Sequence, residues 1–310
     1  MVTTVTLNPC IDWTVSLPTL SLGALNLAHS ERIDVSGKGI NVAEVLKELS
    51  CGVCCTGVSF NDNGALLGSK LDGLGIPHDF AMAEGRLRTN IKAMDLSHNR
   101  MTEINSLGYP VESAVLEIFL DKLEALAAKS SIITMSGRIT NGAGEDIYRR
   151  CIERVSGFPV KTILDAEKAP LTLAIPAKPY LVKPNLYELQ TALARTAAGE
   201  ADIAAMAREF INRGASVVCV SMGEDGALIA DSHSAFYAPA LPVVPKGFQG
   251  SGDSMVAGIC KAILEDRGIE DMLRFGIAAA SASIIREGTL LCRMKDYESF
   301  LPMVKTKLIA

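Results

Sequence analysis

The sequence predicts an α/β fold built on an open, doubly wound sheet, with a second, smaller sheet beside it. The first observation is a set of short apolar runs without period-two alternation, which is typical of parallel strands covered on both faces. These runs lie at 132–135, 162–164, 180–182 and 217–220. The second observation is a set of amphipathic helical stretches between such runs, at 42–49, 116–126 and 203–210. This alternation favours a parallel sheet that binds ligands at the carboxyl ends of its strands.

Two segments break the alternation and predict the smaller sheet. Residues 11–17 alternate strictly between apolar and polar types, as a half-buried strand does. Residues 87–92 also alternate, which places Arg88, Asn90 and Lys92 on one face of a strand. We expect half-buried antiparallel strands that form a lid over an active site. The alternative is a surface hairpin whose charged side chains face solvent.

Length and composition narrow the class of protein. The 310 residues suffice for one large α/β domain or two smaller ones, and 48% hydrophobic with 21% charged residues is ordinary for a soluble enzyme. The net charge of −5, without a basic stripe, argues against a nucleic-acid partner. Without a long apolar run or a signal-peptide pattern, we expect a cytoplasmic protein with no membrane partner. Eight cysteines without a second paired motif predict buried, reduced thiols rather than a zinc site.

The segment Gly250-Ser251-Gly252-Asp253 is the most informative motif in the chain. Its two glycines permit a tight turn, and the apolar periodicity that follows predicts a buried helix. N–H groups at a helix start bind anions with the help of the helix dipole. A carboxylate beside an anion site needs a chemical role, and accepting a proton from a hydroxyl that attacks a phosphoryl group supplies one. Asp253 is therefore the candidate general base.

Three further motifs are weaker signals, and two of them admit two interpretations. Residues 36–42 form a second glycine-rich stretch before a helix, which is either a ligand-binding loop or an ordinary tight turn, and the Walker spacing is absent. Asn185 and Glu188 open a short helix, either as oxygen ligands for hydrated Mg²⁺ or as a capping box. Residues 221–227 join two apolar runs and suit a hairpin turn. Each signal is weak alone, but their order along the chain is specific.

In this order the motifs resemble the ribokinase-like (PfkB) family of sugar kinases, and within it the phosphosugar branch of 1-phosphofructokinase and tagatose-6-phosphate kinase. The resemblance spans nearly the whole chain. It rests on Thr6-Leu7-Asn8-Pro9 with Asp12, Gly37-Lys38-Gly39-Ile40-Asn41, Arg88 with Asn90 and Lys92, Ser136-Gly137, Lys183-Pro184-Asn185 with Glu188, Ser221 with Gly223 and Gly226, and Gly250-Ser251-Gly252-Asp253.

The resemblance implies a three-layer αβα body with a mostly parallel sheet, as one domain over residues 1–310, with lid strands from about 11–35 and 86–109. It implies ATP-dependent phosphoryl transfer to a ketohexose phosphate, with fructose 1-phosphate as the leading acceptor, giving fructose 1,6-bisphosphate, and tagatose 6-phosphate as the second. The partners would be the phosphosugar and ATP, with Mg²⁺ as cofactor. A homodimer through the lid sheet is an analogy to the family.

The resemblance also implies a role for each site residue. Asp253 would be the base, the N–H groups of Ser251, Gly252 and Asp253 would form the anion hole, and Gly250 would belong to the same catalytic motif. Substrate would be held by Asp12, Gly37, Gly39 and Asn41 at its hydroxyls, by Lys38, Arg88 and Lys92 at its phosphate, and by Asn90, Ser136, Gly137 and Arg138. The nucleotide would be lined by Ser221, Gly223 and Gly226 with Lys183, while Asn185 and Glu188 would organise Mg²⁺ and the phosphates.

Departures from the family pattern bear on the substrate. Ser36 stands where glycine is usual, and Arg138 stands where serine is usual. Gly247 and Phe248 occupy the places of an acidic residue and a threonine, and Phe248 cannot make the hydrogen bond of a threonine. Arg138 adds a cation near the expected sugar pocket, which favours a phosphorylated or more acidic substrate. Two other functions stay open: a kinase for an unphosphorylated sugar or nucleoside, and a non-catalytic sugar-phosphate sensor.

Overall fold

The computed structural model describes residues 1–247, 249–286 and 290–309, so Phe248 lies outside the described residues. The strands in chain order are β1 (Val2–Thr6), β2 (Cys10–Leu17), β3 (Ser30–Ser36), β4 (Val53–Phe60), β5 (His78–Ala83), β6 (Arg88–Asp95), β7 (Arg100–Asn105), β8 (Ile132–Ser136), β9 (Lys161–Asp165), β10 (Leu181–Val182), β11 (Val217–Ser221), β12 (Ala227–Ala230), β13 (Ala235–Ala238) and β14 (Lys307–Leu308). The helices are α1 (Lys38–Glu48), α2 (Ala65–Gly73), α3 (Ser113–Ala127), α4 (Ile147–Val155), α5 (Lys168–Ala174), α6 (Leu186–Leu193), α7 (Glu200–Asn212), α8 (Ser251–Leu264), α9 (Ile269–Ile284) and α10 (Met294–Phe300).

The large sheet runs in the order β14-β13-β12-β11-β10-β9-β8-β1-β4-β5. Neighbours from β11 to β5 pair in parallel, whereas β11 to β14 pair antiparallel. Every residue of β1 is buried, including its threonines, because helices cover both faces of the sheet centre. The predicted mostly parallel α/β fold is confirmed, and the four predicted strands lie in β8, β9, β10 and β11.

Helices form a layer on each face of this sheet. On one side α8 packs against α1 and α9, and on the other α3, α4, α5, α6 and α7 contact one another in succession. The predicted amphipathic stretches supply the contacts: Val42, Val45 and Leu46 of α1 and Phe210 of α7 are fully buried. The αβα body is therefore held by the apolar faces that the sequence pattern indicates.

The strand order creates a switch point between β1 and β8. From β1 the chain adds β4 and β5 on one side, and it later adds β8, β9, β10 and β11 on the other. Ligands of open α/β sheets bind outside the carboxyl ends of the strands at such a point. Here those ends carry Thr6, Ser136 and Asp165.

The small sheet consists of β2, β3, β6 and β7, in the order β3-β2-β6-β7. Its outer pairs are antiparallel, but the central pair β2–β6 is parallel, so the expectation of antiparallel strands is wrong for that pair. Between β3 and β6 the chain passes through α1, β4, α2 and β5 of the body, and such a crossover allows β6 to return in the direction of β2.

Two further expectations can be compared with the described residues. All eight cysteines are free, with Cys51 half-buried and the others buried. Among residues 1–247, 249–286 and 290–309, no helix is both long and apolar enough to cross a bilayer.

Candidate active site

A cavity of about 380 Å³ lies between the small sheet and the carboxyl ends of β1, β8 and β9. The predicted residues that line it are Asp12, Gly37, Lys38, Asn41, Arg88, Asn90, Lys92, Ser136, Gly137, Arg138, Gly250 and Asp253. Gly39 does not line the cavity. A Cβ at this position would lie 2.5 Å from the carbonyl oxygen of Val5. Its visible role is to let α1 pack closely on β1.

Asp253 lies in the first turn of α8 and is 5% exposed. Asn41, in the first turn of α1, donates from Nδ2 to Asp253 Oδ2 at 2.8 Å. Burial raises the pKa of Asp253 to about 6, with the positive charge of Lys38 acting in the opposite direction. The carboxylate is therefore ionised at neutral pH and has a basicity suited to accepting a proton.

The turn that precedes Asp253 depends on glycine at position 250. Gly250 caps α8 with a left-handed φ of 74°, and a Cβ there would lie 2.3 Å from Leu291 Cδ2. Ser251 and Gly252 then open the helix, whose first N–H groups and dipole together attract anions. We call residues 250–253 the anion-hole turn.

Asp165 binds two lysines from different parts of the chain. It ends β9, and its carboxylate lies 3.3 Å from Lys38 Nζ and 3.3 Å from Lys183 Nζ. Burial disfavours the charge of Asp165, but the two lysines outweigh burial and lower its pKa, while Asp165 raises the pKa of Lys38. Lys183 Nζ also lies 3.5 Å from where a Cβ of Gly252 would be. Two cations are thus held beside the anion-hole turn.

Four polar side chains of the small sheet bond to one another on the cavity face. Asp12 accepts from Asn90 Nδ2 at 2.9 Å and from Lys92 Nζ at 3.0 Å. Arg88 donates to Asn90 Oδ1 at 2.8 Å. Asn90 and Lys92 are each 6% exposed, so the surface-hairpin alternative does not describe this strand.

The end of β8 contributes a polar rim to the cavity. Ser136 is buried, and its hydroxyl has no hydrogen-bond partner among the residues that the structure describes, which suits a site completed by a ligand hydroxyl. The carbonyl of Gly137 accepts from the hydroxyl of Tyr148 at 2.9 Å, which fixes the turn after the strand. Arg138 pairs with Glu167 at 3.0 Å, and both side chains are substantially exposed. The charge of Arg138 is therefore partly balanced by a neighbouring carboxylate.

The same sheet edge continues past β10 and β11. Asn185 and Glu188 form the capping box that the sequence left as one alternative: Glu188 N donates to Asn185 Oδ1, and Asn185 N donates to Glu188 Oε2, each at 2.8 Å. Burial raises the pKa of Glu188. A β-bridge joins Asn185 to Ser221, which places the two motifs side by side.

The turn after Ser221 is a hairpin with a 3₁₀ segment over Gly223–Asp225. Gly223 and Gly226 have φ values of 62° and 90°, and a Cβ on Gly226 would lie 2.1 Å from Ala238 O. The hairpin interpretation is confirmed, and glycine is required at position 226 by both dihedral angle and space.

Sequence reasoning missed several residues of the cavity. Asp165 directly follows the predicted strand 162–164, and the rule that ligands bind at strand ends would have singled it out. Glu103, Glu167 and Gln249 also line the cavity, and no local sequence pattern marks them. Among the described residues no group of three or more histidine, cysteine, aspartate or glutamate side chains is arranged to hold a metal ion.

Comparison with known proteins assigns the chain to a family. Residues 5–296 match the pfkB family of carbohydrate kinases. The 1-phosphofructokinase of Borreliella burgdorferi is 30% identical over 308 residues, which cover 99% of this chain and 98% of that protein. The 1-phosphofructokinase of Xanthomonas campestris pv. campestris is 34% identical over 267 residues, which cover 85% and 84%.

Solved structures agree with the sequence relatives. Phosphofructokinase-2 from Escherichia coli, crystallised in complex with fructose-6-phosphate, has a TM-score of 0.90 and 25% identity, and the match covers 97% of this chain and 98% of that chain. The likeness in fold therefore extends over nearly the whole chain. The chain belongs to the pfkB family of carbohydrate kinases.

Proposed function

We propose that this protein transfers the γ-phosphoryl group of ATP to a hydroxyl of a ketohexose phosphate, with Asp253 as the base. Fructose 1-phosphate is the leading acceptor, which would give fructose 1,6-bisphosphate, and tagatose 6-phosphate is the second. The observation that carries the proposal is the position of Asp253: its buried carboxylate opens α8 and lines the same cavity as Lys38, Arg88 and Arg138. The 1-phosphofructokinase relatives favour fructose 1-phosphate over tagatose 6-phosphate.

The sugar phosphate would lie against the small sheet and the end of β8. Asp12, Asn41 and the unpartnered hydroxyl of Ser136 are suited to sugar hydroxyls. Arg88 and Arg138 are suited to the phosphate already on the sugar, since a guanidinium binds phosphate in bidentate fashion. The ammonium of Lys92 is already bonded to Asp12, so we assign Lys92 mainly to holding Asp12 in place.

ATP would lie along the adjoining edge of the large sheet. Ser221, Gly223 and Gly226 form a turn beside Asn185. Lys183 lies two residues before Asn185, and its Nζ lies beside the anion-hole turn. Lys38, which the resemblance assigned to the phosphate of the sugar, shares the carboxylate of Asp165 with Lys183, so we assign both lysines to the phosphates of ATP. There their charges would oppose the negative charge that spreads over the transferring group. The carboxylate of Asp165 holds both ammonium groups in position.

The residues present fit Mg²⁺ bound mostly through phosphates and waters. Mg²⁺ sites of nucleotide enzymes use one or two carboxylates rather than a protein cage, in agreement with the donor set among the described residues. The capping box uses one oxygen of Glu188, so its other oxygen is available to a hydrated ion. When bound, Mg²⁺ would neutralise charge on the phosphates.

Proton transfer would be completed by Asp253. An acceptor hydroxyl within hydrogen-bond reach of its carboxylate would lose its proton as the bond to phosphorus forms. The anion-hole turn would hold the migrating group in line between donor and acceptor. We assign the segments 11–35 and 86–109 as a lid of the single domain, because their strands cover the cavity and would exclude water, which otherwise accepts the phosphoryl group.

The direct test is ADP release with fructose 1-phosphate, tagatose 6-phosphate, fructose 6-phosphate, ribose and adenosine as acceptors. Activity with the phosphorylated ketohexoses and not with ribose or adenosine is expected. Arg88→Met should raise KM for the sugar phosphate, while Arg100→Met, at the start of β7, serves as a matched control. Equal activity on ribose with or without Arg88 would support the kinase for unphosphorylated acceptors, and sugar-phosphate binding without ADP release would support the sensor.

A further inference from the structure

Gln249 lies between two elements that form the cavity. It directly precedes Gly250, the left-handed cap of α8. Its side chain reaches across to the small sheet, where Lys92 of β6 and Glu103 of β7 are cross-strand neighbours. Gln249, Lys92 and Glu103 all line the cavity, so this contact belongs to the site.

The orientation of the Gln249 amide is fixed by partners of opposite type. Its Oε1 accepts from Lys92 Nζ at 2.8 Å, and its Nε2 donates to Glu103 Oε1 at 3.0 Å. A reversed amide would oppose two donors at one end and two acceptors at the other. Lys92 continues the chain of bonds to Asp12 Oδ2 at 3.0 Å. Hydrogen bonds therefore connect polar side chains of β2, β6 and β7 to Gln249, the residue directly before the anion-hole turn.

We propose that Gln249 is a positioning residue that couples ligand binding on the small sheet to the anion-hole turn. The inference rests on the proposed function, in which the sheet holds the sugar phosphate and the turn holds the migrating phosphoryl group. A ligand that orders Lys92 and Glu103 also orders Gln249, and with it the backbone at Gly250. Coupling between two binding sites is reciprocal, so nucleotide bound at the turn favours sugar phosphate on the sheet by the same factor.

The chain carries its own reporter for this coupling. Trp13 is the only tryptophan, it lies on β2 next to Asp12, and its indole nitrogen donates to Glu31 at 2.9 Å. Its emission therefore reports on the small sheet. Titration of fructose 1-phosphate with and without a non-hydrolysable ATP analogue gives the coupling factor without any turnover.

In the wild-type protein we expect the analogue to tighten sugar-phosphate binding by a factor within the usual range of about 5–150. Gln249→Ala should reduce that factor to about 1, while each ligand alone still binds with an affinity within about tenfold of wild type. An unchanged coupling factor in Gln249→Ala would overturn the inference. Thr102→Ala, on the neighbouring position of β7, is the control and should leave the factor intact.

A charge-conserving exchange separates positioning from general stability. Gln249→Glu keeps the shape but sets a carboxylate against Glu103, so coupling should be lost. Adding Glu103→Gln restores one donor and one acceptor at that contact, so the double variant should recover coupling. A double variant that stays uncoupled, although both ligands bind, contradicts the proposal, because restoring the hydrogen bond would then have failed to restore coupling.

The test remains decisive if the proposed function fails. The ATP analogue alone should change Trp13 emission in wild type and not in Gln249→Ala, and this readout requires no acceptor sugar. Absence of that response in wild type would overturn the coupling, even if ADP release with fructose 1-phosphate upholds the kinase. Conversely, a Gln249-dependent response without ADP release on any acceptor would uphold the coupling and reject the kinase.

Discussion

Replacement of Asp253 by asparagine should make the protein more stable and much less active. Burial shifts the pKa of Asp253 from 3.8 to about 6, so the folded state disfavours its charge. Each unit of that shift corresponds to 1.36 kcal/mol, which gives about 3 kcal/mol of unfolding free energy lost to the ionised carboxylate at neutral pH. Asparagine carries no charge and retains an oxygen that accepts from Asn41, so Asp253→Asn should recover most of this energy.

The pH dependence of the unfolding free energy gained by Asp253→Asn follows from the direction of the pKa shift. Because the folded-state pKa is raised, the contribution of Asp253 to wild-type stability is greatest below pH 3.8 and is lost as the pH rises through about 6. The difference between Asp253→Asn and wild type should therefore be near zero at the acid end, grow between about pH 4 and pH 6, and stay constant above. Urea unfolding of both proteins across this range measures it.

Activity should move in the opposite direction. Loss of the general base should lower kcat by about 10²- to 10⁴-fold, with ligand affinity nearly unchanged. In wild type, kcat/KM should fall as the pH decreases through about 6, since the base must be ionised to accept a proton. A variant with wild-type kcat, or one that is less stable than wild type at pH 8, would refute the reasoning.

Three further changes test other parts of the site. Asp165→Asn should lower the unfolding free energy by about 3–5 kcal/mol at pH 7 in urea denaturation, because it leaves the buried ammonium of Lys183 without its counter-charge; unchanged stability would contradict this. Gly250→Ala should cost at least about 1–2 kcal/mol for its left-handed φ, whereas Gly252→Ala, whose Cβ meets only a lysine tip at 3.5 Å, should change the midpoint of unfolding little. Glu188→Gln keeps the capping box, so its stability should match wild type while the Mg²⁺ concentration for half-maximal ADP release rises about tenfold; a loss of stability with an unaltered Mg²⁺ requirement would assign Glu188 to capping alone.

Most of the fold could be predicted from hydrophobic pattern because helices cover the parallel strands on both faces. The runs at β8 and β11 are mostly apolar, β9 has the apolar centre Ile163-Leu164, and α1, α3 and α7 show helical spacing. The direction of β6 could not be predicted, since alternation along a strand is the same whichever way its neighbour runs. Only the path of the chain through the large sheet decides that pair.

The candidate site divides in the same way. Glycines beside Asp253 and near Lys38 mark positions where the backbone itself is constrained, so the sequence identifies them. Asp165 could have been singled out as a residue at the carboxyl end of a strand, whereas Gln249 acts through a side chain that contacts residues distant in the chain, and no local sequence pattern marks it. Hydrogen bonds such as that between Asn41 and Asp253, 212 positions apart, exist only once the sheet has assembled.

That contact has a consequence for fragments of the protein. Asn41 lies in the first helix, α1, and Asp253 opens one of the last long helices, α8, yet the two side chains meet. Neither half of the polypeptide contains both side chains. A proteolytic cleavage that lets the halves separate should therefore abolish phosphoryl transfer completely rather than leave residual activity.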